Sequence, residues 1–71
     1  MKSLTLQIAS HTGADSVVSE IWFGNDQVAE VSTRKDGKVV VELFAPPVGG
    51  AWNFEFDALQ DILGKAKNNL H

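Results

Sequence analysis

The sequence predicts an α+β domain, a four-stranded antiparallel meander with one C-terminal helix packed on one face. Three observations predict it. Apolar and polar residues alternate with period two through four short segments between Leu4 and Phe44, and polar, mostly glycine-bearing turns separate them. From Leu59 onward the spacing becomes helical.

The first segment is Leu4-Thr5-Leu6-Gln7-Ile8, a strand with Leu4, Leu6 and Ile8 inward, followed by a polar loop from Ser10 to Asp15. Val17 to Phe23 offers two faces, Val17/Ser19/Ile21/Phe23 and Val18/Glu20/Trp22, and the face without the charge goes to the core. Gly24-Asn25-Asp26 makes the next turn. It leads into Gln27 to Thr33, with Ala29, Val31 and Thr33 inward and Val28, Glu30 and Ser32 outward.

The second hairpin turn is Lys35-Asp36-Gly37, a three-residue loop with Gly37 left-handed at a bulge. This loop sets Arg34 opposite Lys38 and Val31 opposite Val41. A two-residue turn would set Val31 against Glu42, which a core resists. Lys38 to Phe44 is therefore expected to bury Val39, Val41 and Leu43 and to turn Val40, Glu42 and Phe44 outward, and Pro46-Pro47 ends the strand.

Trp52, Phe54 and Phe56 then alternate in an extended piece, and two of these aromatics are expected to close the end of the core. Trp52 is read as its lid, with an exposed contact residue as the alternative. Asp57 is the expected helix N-cap, with Gln60 in the capping-box position. Leu59, Ile62, Leu63, Ala66 and Leu70 form one apolar stripe, and Gly64 within it is explained if helix and sheet approach closely there.

Seventy-one residues make one domain, 1–71, near the lower limit for a self-supporting core, with little room for an enclosed active site. Cysteine is absent, so neither a disulfide framework nor a thiolate metal site is available. That suits a reducing cytosol, and Met1-Lys2-Ser3-Leu4 runs into an alternating pattern rather than a signal-like apolar block. The expectation is a cytoplasmic protein without a membrane span.

Nine carboxylates against six Lys and Arg give a net charge of −3, whereas a nucleic-acid binder needs a basic excess to neutralise phosphates. The cations also have local explanations. Arg34, Lys35 and Lys38 flank a turn, and Lys65 and Lys67 lie near the helix C-terminus, where the macrodipole favours them.

If the Gly24-Asn25-Asp26 loop pairs Phe23 with Gln27, the two registers create three lateral rows on the open face: Trp22/Val28/Phe44, Glu20/Glu30/Glu42 and Val18/Ser32/Val40. Adjacent strands lie about 4.8 Å apart, so glutamates in such a row repel. One reading is a solvated face that discourages aggregation. The other is a contact surface for a basic protein, formed by Glu20, Trp22, Val28, Glu30, Glu42 and Phe44, because exposed aromatics beside acids suit an interface. Homodimerisation through the same face is its variant.

Three glutamates without an Asp/Asn/Gly loop do not make a calcium site, and no cofactor is expected. His11 between Ser10 and Asp15 invites a triad, but three polar residues in one hairpin loop are read as a loop, since neither a buried orienting group nor a pocket accompanies them. Gly49-Gly50 lacks the surroundings of a phosphate loop. His71 is the terminal residue and is assigned no site.

The segments Val28-Ala29-Glu30-Val31, Glu42-Leu43-Phe44-Ala45-Pro46, Gly50-Ala51-Trp52 and Phe56-Asp57-Ala58-Leu59-Gln60-Asp61-Ile62-Leu63 resemble small bacterial immunity proteins, over residues from about Ile21 to Leu70. The resemblance implies a non-enzymatic inhibitor that neutralises a secreted or contact-dependent toxin by direct binding, often a basic nuclease. It carries over no individual residue role.

Overall fold

The computed structural model describes residues 2–10 and 17–70. Four strands, β1 (Leu4–Ser10), β2 (Val17–Phe23), β3 (Asp26–Thr33) and β4 (Val39–Leu43), form one antiparallel sheet in the order β1-β2-β3-β4, followed by the helix α1 (Phe56–Asn68). This is the predicted α+β architecture. The polar loop read between Ser10 and Asp15 lies outside the described residues except for Ser10, which ends β1.

Helix α1 lays Ile62 and Ala66, both buried, and the half-buried Leu59 and Leu63 on Ile21, Ala29 and Val31 of the central strands, and Leu70, just past the helix end, packs on the same core. Two small residues meet at this interface. Ser19 and Ala66 are each 0% exposed, and the Ser19 hydroxyl donates to the Ala66 carbonyl at 2.8 Å. The last helical carbonyls have no continuing turn to bond to. The Leu70 N–H turns to Lys67 and the Asn69 N–H to Lys65, so the Ala66 carbonyl takes its bond from β2.

Gly64 plays no part in this approach. It is exposed, and a Cβ built on it meets nothing within 4 Å, which corrects the expected reason for a glycine there. The helix also starts one residue before the expected cap. Glu55 occupies the N-cap without a side-chain bond, and Asp57 sits inside the first turn, where its charge still suits the helix dipole.

The aromatic lid forms as expected from two of the three residues. Trp52 stacks on Phe54 with centroids 5.5 Å apart, and both meet Phe23 edge-on, at 6.3 and 5.2 Å. The Trp52 indole N–H donates to the Phe44 carbonyl at 2.8 Å, which fastens the crossing segment to the end of β4. Phe56 opens the helix and is exposed.

The expectation that β4 buries its inward side is corrected. Val39, Val41 and Leu43 are 39%, 45% and 74% exposed. A helix is about 10 Å across with its side chains, while four strands at about 4.8 Å spacing are wider. Helix α1 packs on β1, β2 and β3, so β4 extends beyond its cover. Among the described residues no helix is long and apolar enough to cross a membrane.

Candidate functional site

The strand pairing aligns the three glutamates of the open face. Gln7 faces Glu20, Glu20 faces Glu30, and Glu30 faces Glu42, one row running across all four strands. The second hairpin produces its part of this row as predicted. Gly37 has φ 86°, and the Arg34 N–H to Lys38 carbonyl bond of 2.8 Å closes the Lys35-Asp36-Gly37 loop with Val31 opposite Val41.

The first hairpin reaches the same Glu20–Glu30 pairing by a different route. Phe23 pairs with Asp26 around a two-residue Gly24-Asn25 turn, with Gly24 at φ 64°, and Trp22 pairs with Gln27. The tighter turn advances the register by one residue. A bulge at Val28 restores it, because Ile21 pairs again with Ala29.

That bulge removes Val28 from the open face. The extra residue of a bulge leaves the strict alternation, and Val28 joins the helix-side core at 3% exposure. The predicted Trp22/Val28/Phe44 row is thereby corrected. Trp22 stands beside Gln27, and the aromatic contacts among the described residues involve Phe23, Trp52 and Phe54 instead. On the far side of the glutamates, Val18 is buried and Ser32 and Val40 are half-buried, so this third row offers little contact area.

What remains together is an acidic strip with an aromatic at its edge. The Trp22 indole N–H donates to Oε1 of Glu20 at 3.2 Å, giving that carboxylate a partner along its own strand. Glu20 and Glu30 are half-buried and Glu42 is exposed, while Phe44 is half-buried just beyond the end of β4. Among the described residues none of the three glutamates has an ion-pair partner, and no group of three acids or histidines comes together as a metal site requires.

Open grooves flank the helix, among them two of similar size. One, of about 340 Å³, runs between β1 and the helix past Leu4, Leu6, Ala58 and the Asp61–Lys65 ion pair. The other, of about 350 Å³, lies between Leu43, Val28, Trp52, Phe54 and Leu59, with Asn53 its one polar side chain. Ser3 also lines the first groove, where Asp61 and Lys65 are engaged with each other. His11 and Asp15 lie outside the described residues, and so does His71.

Periodicity and the second hairpin's register were enough to find Glu30 opposite Glu42, while the Glu20–Glu30 pairing was expected from a three-residue turn and arises from a two-residue turn and a bulge. Missing from the sequence reading was Ser19 as a helix-to-sheet fastening, although a lone serine on an otherwise apolar strand face was the signal for it. Comparison with family models, with curated proteins and with solved structures finds no match for this chain.

Proposed function

We propose that the chain is a small, non-enzymatic protein-binding module that holds a basic partner on the open face of its sheet, through Glu20, Glu30, Glu42, Trp22 and Phe44. The observation that carries this reading is the row itself. Register stacks three carboxylates side by side on the face away from the helix, where like charges cost stability unless a cation answers them. Trp22 adds a rigid aromatic whose indole already orients Glu20.

The resemblance to bacterial immunity proteins narrows the partner to a toxin with a basic substrate-binding surface, a nuclease above all, met in the cytoplasm of the producing cell. A partner that binds phosphates presents the positive charge this strip complements. Homodimerisation by stacking two open faces is the less favourable reading, since it brings two acidic strips into one interface.

The test is affinity for the product of the adjacent gene, by titration calorimetry. The chain should bind it, and Glu20→Lys/Glu30→Lys/Glu42→Lys should abolish binding while the circular dichroism spectrum stays native. Equal binding by the variant overturns the acidic-face reading.

A further inference from the structure

We propose that the free edge of β4 is a self-association site, pairing antiparallel with β4 of a second copy about a two-fold axis through Val40. Among the described residues the hydrogen bonds leave that edge open. The Phe44 N–H donates to Val28 and the Arg34 N–H to Lys38, so even-numbered residues of β4 turn their main-chain groups to β3. Val39, Val41 and Leu43 turn theirs outward, and Val39 to Leu43 is a Val-rich run without proline or bulge to blunt it.

The side chains of β4 are self-complementary in one register. Pairing that keeps both helices on one side of a continuous sheet must match odd residues with odd. Centred on Glu42, it opposes that carboxylate to itself. Centred on Val41, it opposes Glu42 to Val40. Centred on Val40, it opposes Lys38 to Glu42 twice on the open face and Val39 to Val41 twice on the helix side.

Among the described residues neither Lys38 nor Glu42 has an ion-pair partner within the chain, whereas Arg34 is held by Asp36 at 3.1 Å. The same pairing covers part of the apolar surface of β4 that α1 leaves bare. At the other edge, α1 packs on β1, so the need there is smaller. The interface is of the small class, so association is expected at micromolar concentrations and above. It shares Glu42 with the acidic-face reading but does not rest on it, and it leaves Glu20, Glu30 and Trp22 facing solvent.

Sedimentation equilibrium of the full chain between about 10 μM and 1 mM is the experiment. The expected result is a monomer–dimer equilibrium starting from 7.7 kDa. Val41→Pro removes an outward N–H and no bond to β3, so it should be a folded monomer throughout. Lys38→Glu should weaken the dimer roughly tenfold, and Lys38→Glu/Glu42→Lys should restore it. This cycle decides the matter if Val41→Pro does not fold.

Mild oxidation should link Val40→Cys across the two-fold and leave Val41→Cys largely unlinked. A monomer at 1 mM overturns the proposal. So does a dimer that survives Val41→Pro but is lost with Trp22→Ser, which would place the interface on the open face, or preferential linking through Val41→Cys.

Discussion

Ser19→Ala tests the fastening that holds helix to sheet. The substitution deletes one oxygen between two fully buried residues and leaves the Ala66 carbonyl without its donor. A buried acceptor left unsatisfied costs about 1–3 kcal/mol. Water cannot take the place of the hydroxyl, because the vacated volume is about that of a single atom.

The expected loss is therefore about 2 kcal/mol, which for a chain of this size lowers Tm by roughly 8–16 °C. Urea unfolding followed by circular dichroism should show the midpoint shifted with the slope unchanged, as expected when the native contact alone is lost. Ser19→Val supplies the complementary measurement, since one methyl replaces the hydroxyl and a second is added at a fully buried position, where overpacking costs about 1–3 kcal/mol. A Ser19→Ala variant within about 0.5 kcal/mol of the parent would refute the claim that this hydroxyl completes the helix C-terminus.

Gly64→Ala should stabilise the fold by about 1 kcal/mol in the same assay, because the new Cβ enters open space on an exposed helical turn. Val28→Ala should cost about 2–3 kcal/mol, the value for a core position; a near-neutral result would return Val28 to the open face and contradict the bulge. Glu30→Lys places a cation between Glu20 and Glu42 and should raise stability by up to about 1 kcal/mol at low salt. That gain should shrink as sodium chloride screens the row, and a gain independent of salt would show that repulsion is not its source.

The acidic row illustrates a stability cost tolerated at a surface. A solvated face needs no such alignment, since any one of the glutamates exchanged for lysine would relieve it. The edge of β4 is a different matter. Its apolar side chains follow the alternation of a buried strand, yet the single helix is too narrow to reach them. On the readings proposed above, the first binds a cation-bearing surface and the second a strand.

The sequence by itself determined the strand count and order, the helix and its stripe, and the second hairpin, because period-two alternation and the Lys35-Asp36-Gly37 loop leave one register that keeps Val31 and Val41 on one side. It also determined the Glu30–Glu42 half of the acidic row, through the same hairpin. The exit of Val28 to the core was decided in three dimensions. A loop one residue longer would bring Glu20 opposite Glu30 directly, whereas the tight turn at Gly24-Asn25 does so only because the bulge at Val28 restores the register. Cover was decided there too. Alternation says which side of β4 is apolar, but whether that side is buried depends on the width of α1 and where the helix comes to rest. The Ser19–Ala66 bond fixes that place by joining residues forty-seven positions apart.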